Sequence, residues 1–174
     1  MDATPSISTT SWNSWLGQRS RQFLLFARSQ TRCEADAHDV LQDSLVETWR
    51  RAGHKAPDDA LVYATIRRRA IDLFRSTERR QRREQTAYEI LWLDQPADGS
   101  GIDPDLDEAV QRLPNHLREV LIVRIWGGLT FQQIALSLDI PADTAASRYR
   151  YALDHLRKAM KQAEGNRPAS PHLT

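Results

Sequence analysis

The sequence predicts an all-α chain of two small helical domains joined by a flexible acidic linker, the second ending in a helix-turn-helix. Three observations predict it. Apolar residues recur at helical spacing in one segment after another. One stretch, residues 85–103 with its LDQPADGSGID, breaks that pattern with Asp, Gly and Pro. Near the end, LTFQQIALSLDIPADTAASRYRYALDHLRKAM reads as two helices interrupted once, at Asp139-Ile140-Pro141.

Residues 1–10 are polar and rich in Ser and Thr, and disorder is expected there. A first domain over 11–84 opens with a helix from about Ser11 to Gln30. Its inner side carries Trp12, Leu16, Phe23 and Ala27, with Trp15 and Phe26 beside them. A second helix, about Glu34 to Arg51, turns Leu41, Leu45, Thr48 and Trp49 inward. Asp36, Asp39, Asp43 and Glu47 lie opposite, with Gln42 on the flank. Four carboxylates on one face suit a solvated surface or a docking face for a basic partner. They make poor catalytic groups, because no nucleophile or base is paired with them. Nor is there a His/Cys cluster at metal-ligand spacing, so no cofactor or metal is expected.

The loop RAGHKAPDD leads into a long helix over about Ala60 to Glu84, with Val62, Tyr63, Ile66, Ala70, Leu73 and Phe74 on its apolar side. Arg68, Arg75, Arg79 and Arg82 project opposite, widened by Arg67, Arg69 and Arg83. Eight arginines between Arg67 and Arg83 face only Asp72 and Glu78 locally. The whole-chain net charge of +1 hides this strip. Arginine forms bidentate phosphate contacts and stacks on bases, which favours nucleic acid over a merely exposed basic helix end. By contrast, Asp94 to Glu108 holds six acids and no Lys or Arg, and marks the linker, residues 85–103.

The second domain, 104–162, places Leu106, Ala109, Val110 and Leu113 on one helix, then Leu117, Val120, Leu121 and Ile125 on the next, stopped by Gly127-Gly128. Thr130 suits the N-cap of a short helix bearing Phe131, Ile134, Ala135 and Leu138. The last helix turns Ala145, Tyr149, Ala152 and Leu156 inward, with Ser147, Arg150, Tyr151, Asp154 and Lys158 outward. Taken alone, this pair fits either a helical hairpin or a helix-turn-helix whose second helix enters a major groove. The tail, 165–174, has a disordered composition.

Cys33 is the only cysteine, which excludes an intrachain disulfide, and a buried inert thiol is expected. The N-terminal apolar run Phe23 to Ala27 is far below the roughly 20 residues of a membrane span. MDATPSISTT has an acid where a signal peptide has basic charge. A cytoplasmic protein with no membrane insertion is expected.

Two segments resemble one family. DVLQDSLVETW followed by TIRRRAIDLFR resembles the second conserved region of bacterial sigma factors. LDEAVQRLPNHLREVLIVRIWGGLTFQQIALSLDIPADTAASRYRYALDHLR resembles the fourth. Their order, the acidic linker and the lack of room for a third domain resemble the two-domain extracytoplasmic-function group, over about residues 30–162. The resemblance implies that Asp39, Gln42, Asp43 and Glu47 bind the β′ coiled coil of core RNA polymerase. It implies that Arg67, Arg68, Arg69, Asp72, Arg75 and Arg79 serve the −10 element, whose nontemplate bases are unstacked and held by protein. It further implies that Thr144, Ser147, Arg148 and Arg150 read the −35 element, that the second domain meets the β flap, and that an anti-sigma factor is a common partner. The chain departs from the family's usual pattern at Asp43, Leu45, Arg69, Gln133 and Ala145, and has Ala60-Leu61-Val62-Tyr63 where a Trp-Leu pair is common. The function so implied is promoter-directed transcription initiation, with no reaction catalysed by this chain. A sigma-like DNA-binding regulator that does not support promoter opening is the alternative. A nuclease is a third reading; it lacks a phosphate loop, and His38, His54, His116, His155 and His172 are scattered.

Overall fold

A computed structural model describes residues 6–84 and 104–166, with side chains over 12–78 and 105–162. The described residues form seven helices and no strand: α1 (Ser6–Gln30), α2 (Glu34–Arg51), α3 (Asp59–Glu84), α4 (Pro104–Gln111), α5 (Asn115–Ile125), α6 (Phe131–Leu138) and α7 (Ala142–Asn166). Two expected ends differ. Helix α1 already runs through residues 6–10, and α7 continues to Asn166. The linker 85–103 lies outside the described residues, as do 1–5 and 167–174.

Local chemistry explains the boundaries. The Thr130 hydroxyl accepts from the Gln133 amide at 3.2 Å while Gln133 Oε1 accepts from the Thr130 amide at 2.9 Å. This reciprocal capping box starts α6, so the glutamine at a position where the family has glutamate does the same work here. Asp139 adopts a left-handed conformation at φ 52°, which ends α6 and lets Pro141 precede α7. Cys33 is exposed rather than buried. Its Sγ accepts from the Asp36 amide at 3.4 Å and so caps α2. Helical phase said nothing about Cys33, because it stands just before the helix.

Packing departs from two separate cores. Helix α1 lies against α2, α3 and also α5, and α3 lies against α6. One cluster of buried side chains therefore joins Phe23, Phe26, Tyr63 and Ile66 of the first unit to Val120, Val123, Ile134 and Leu138 of the second. Here Tyr63 is buried with Phe23 and Phe26 edge-on at 5.0 and 5.1 Å. Ser137 Oγ donates to the Ala60 carbonyl across the junction at 2.9 Å. The physical reason is size. A unit of about 60 residues buries little alone, and each covers its remaining apolar face with the other. A second cluster, Ala109, Val110, Leu113, Leu117, Leu121, Ala152 and Leu156, holds α4, α5 and α7 together. Phe74, assigned by its spacing to the apolar side of α3, is instead exposed beneath the Arg32 guanidinium, 4.4 Å from its ring.

Candidate nucleic-acid interface

The arginine helix is far better compensated than its own sequence suggests. Arg68 donates to Glu47 at 2.6 Å. Arg69 donates to Glu47 at 2.8 and 3.0 Å and to Asp43 at 3.0 Å. Arg51 reaches Glu47 at 3.0 Å from within α2. Arg67 meets Glu119 of α5 at 3.3 Å. These partners stand on other helices or a turn away, where a count along α3 cannot find them.

Two consequences follow for the carboxylate face. The Glu47 side chain is 17 % exposed and lies beneath three arginines, so it ties α2 to α3 instead of offering a free surface. Its burial would raise its pKa, but hydrogen bonds from Arg69 and Arg68 and the nearby charges of Arg68 and Arg51 outweigh that and lower it. The Asp43 side chain, at 66 %, stays open to solvent despite its bond to Arg69. Asp39 and Gln42 are also exposed on the same helix.

Along α3, Arg68, Asp72 and Arg75 face solvent, while Arg67 and Arg69 are half-buried by their ion pairs. The side chain of Arg79 falls outside the described ones. At the N-terminal end of α3 lie four aromatic side chains that sequence spacing did not bring together. Trp12 lies 5.0 Å from Trp15 and 6.0 Å from Trp49, and Trp49 lies 4.2 Å from His54. His54 has φ 62°, and its amide donates to the Trp49 carbonyl at 3.0 Å, which folds the loop back over the end of α2. Asp59 fixes α1 to the start of α3 by accepting from Trp15 Nε1 at 3.0 Å and pairing with Arg19 at 3.2 Å.

On α7, Thr144, Ser147 and Arg148 line a shallow open concavity with His116, Leu117, Asp143 and Tyr151. Arg150 is exposed, and its guanidinium donates to Ser147 Oγ at 3.3 Å. Arg148 is different: only 26 % exposed, it pairs with Glu119 at 3.4 Å and braces α7 on α5. Glu119 is 8 % exposed. Burial raises its pKa and outweighs the opposing pull of Arg67 and Arg148. His116 and Tyr151 complete the concavity. Tyr151 was legible as an outward position, whereas His116 sits on α5 and only the tertiary fold brings it to α7.

A family model described as sigma-70 region 2 matches residues 17–80, and one described as sigma-70, region 4 matches residues 109–158. The first match covers α2 and most of α1 and α3, and the second covers α5, α6 and most of α7. The chain belongs to the sigma-70 family. Within that family it resembles the extracytoplasmic-function sigma factor RpoE of Cereibacter sphaeroides, 28 % identical over 72 % of this chain and 73 % of the relative. It also resembles the extracytoplasmic-function sigma factor SigK of Mycolicibacterium vanbaalenii, 28 % identical over 71 % of this chain and 68 % of that one. Its fold is that of the sigma factor RpoE from Bartonella quintana, solved in complex with the anti-sigma factor NepR. That match has TM-score 0.70 at 20 % identity, covering 86 % of this chain and 96 % of the other. The chain is an extracytoplasmic-function sigma factor, which directs RNA polymerase to promoters. Among the described residues no helix is long and apolar enough to cross a membrane.

Proposed function

We propose that this sigma factor engages core RNA polymerase through the exposed carboxylate edge of α2, chiefly Asp39 and Asp43 with Gln42 beside them. Glu47 supports that edge from beneath by holding Arg68 and Arg69. The 11–84 unit then takes the −10 element with the solvent-facing side of α3. The 104–162 unit takes the −35 element with the outer face of α7, where Thr144, Ser147 and Arg150 are the base-edge and phosphate contacts and Arg148 positions the helix. The acidic segment 85–103 connects the two units. The observation that carries the reading is the separation of roles on α2. Asp43 is mostly exposed where Glu47 is covered, so a solvent-open acidic edge remains beside the contacts that Glu47 makes with Arg68 and Arg69.

The chain works in the cytoplasm, beside polymerase, and no catalytic step is assigned to it. An anti-sigma protein would occupy the surfaces that polymerase needs; the complex of the Bartonella quintana relative supports that partner class. The test is Asp39→Lys with Asp43→Lys in the full chain. Pull-down of core polymerase should be lost while helicity and melting temperature stay near wild type. Undiminished pull-down overturns the α2 assignment. Wild-type binding to core without transcripts from any fragment of a genomic library would favour the regulator reading.

A further inference from the structure

Helix α2 turns Ala37, Val40, Leu41, Ser44 and Thr48 into the fold. Its outer side carries a stripe at Asp39, Asp43, Val46 and Arg50, all exposed. Steps of four, three and four residues are those by which a helix keeps one seam turned toward a second helix in a coiled coil. The seam is not uniform. It runs from two carboxylates through an apolar side chain to a guanidinium, over about 16 Å of helix. The neighbouring Glu47 and Arg51 are turned onto each other at 3.0 Å, and Arg68 and Arg69 cover Glu47.

Val46, in the middle of the seam, is 39 % exposed. A β-branched residue on a solvated helix face lowers helix propensity slightly and gains nothing from burial. It becomes an anchor once a partner covers it, because interface energy concentrates in a desolvated centre ringed by polar groups. Arg50 adds a second constraint. Its charge stands beyond Val46 on the side away from Asp39 and Asp43, so the two ends of the seam carry opposite sign. A partner helix of complementary charge therefore fits in one direction only. Reversed, it would set like charges against each other at both ends.

Resting on the assignment of α2 to core polymerase given above, we infer that Val46 and Arg50 extend the acidic edge into an oriented seam for one helix of the polymerase. That helix presents a basic end to Asp39 and Asp43, an apolar side chain to Val46 and a carboxylate to Arg50. Val46 supplies the desolvated centre of the contact. The charges at either end fix direction and register, as polar groups do in the seam of a coiled coil.

The test is the affinity of the full chain for surface-captured core polymerase, measured without DNA over a range of salt concentrations. Val46→Ala removes two methyl groups and should weaken binding about tenfold at every salt concentration. Val46→Ile, which keeps the apolar surface, should bind as wild type. Arg50→Glu should also weaken binding about tenfold, and its deficit should narrow as salt screens the repulsion. All three should keep wild-type helicity and melting temperature, because both side chains are exposed. The double variant Asp39→Lys with Asp43→Lys runs in the same assay. If it loses binding while Val46→Ala or Arg50→Glu binds as wild type, the seam is overturned and the assignment of α2 stands. If the double variant binds as wild type, the assignment of α2 falls and the seam with it.

Discussion

Replacing Glu47 by alanine tests whether a carboxylate on the proposed docking face is structural. The side chain accepts from Arg68 at 2.6 Å and from Arg69 at 2.8 Å, and pairs with Arg51 at 3.0 Å. A hydrogen bond to a charged group is worth about 1.5–3 kcal/mol. Arg51 and Arg68 are more than half exposed, so solvent screens their share to a few tenths of a kcal/mol. The half-buried Arg69 arm carries most of the rest, for a total of about 2 kcal/mol. At about 2–4 °C per kcal/mol for a chain of this size, melting should fall by roughly 4–8 °C. Urea unfolding by circular dichroism gives the same quantity independently. Asp43→Ala, with a mostly exposed carboxylate, should shift stability by under about 0.5 kcal/mol. The acid limb supplies a second readout. The Glu47 pKa is lowered in the fold, so its contribution is whole above the unfolded value near 4.5 and is lost as pH falls through the lower folded value. Glu47→Gln should therefore flatten the loss of stability below about pH 4.5. Equal stability of Glu47→Ala and Asp43→Ala would refute the division of roles on α2.

Leu138→Ala, at a fully buried position of α6 in the shared cluster, should lower stability by about 2–5 kcal/mol in chemical denaturation. One cooperative transition is expected, since that residue belongs to the core of both units. Thr130→Ala removes the α6 capping box and should cost about 1 kcal/mol, read as a lower melting temperature. Arg150→Ala should leave stability within about 0.5 kcal/mol. Footprinting or binding assays across −35 variants should show about 1–3 kcal/mol less discrimination at one base position.

Helix phase carried most of the fold. The stripe Ala145, Tyr149, Ala152 and Leu156 and the break at Asp139-Ile140-Pro141 stand as the spacing requires, because local capping and amphipathicity decide them. The candidate site was legible only in part. Asp39, Gln42, Asp43 and Arg150 are exposed on the expected faces. The burial of Glu47 was hidden because two of its three arginines stand 21 and 22 residues onward. Arg67 and Glu119, 52 residues apart, meet only because two small cores merge. No periodicity encodes that merger: a face that is apolar for its own unit and one that is apolar for its neighbour read alike. The sequence therefore points to two domains while the chain packs them as one.

That merger has an energetic consequence for polymerase binding. Phe23, Phe26, Tyr63, Val123, Ile134 and Leu138 belong to a cluster built from both units, and separation returns part of it to water. A fully buried side chain of this kind contributes about 1.5–3 kcal/mol, so exposing even the equivalent of one makes the open form a minor state. If polymerase binds the parted units alone, core affinity is reduced by the fraction of chain in which they are parted, tenfold for each ~1.4 kcal/mol of opening. A substitution that loosens the junction without touching α2 should tighten binding to core until the open form predominates, and have no further effect beyond it. The same substitution lowers the melting temperature, because that cluster holds more of the buried apolar side chains than the other one among the described residues. Stability and core affinity should thus move in opposite directions across a series of junction variants, whereas substitutions at the exposed Asp39 and Asp43 of α2 should lower affinity with stability nearly unchanged. A junction series in which both fall together would mean that polymerase recognises the closed chain.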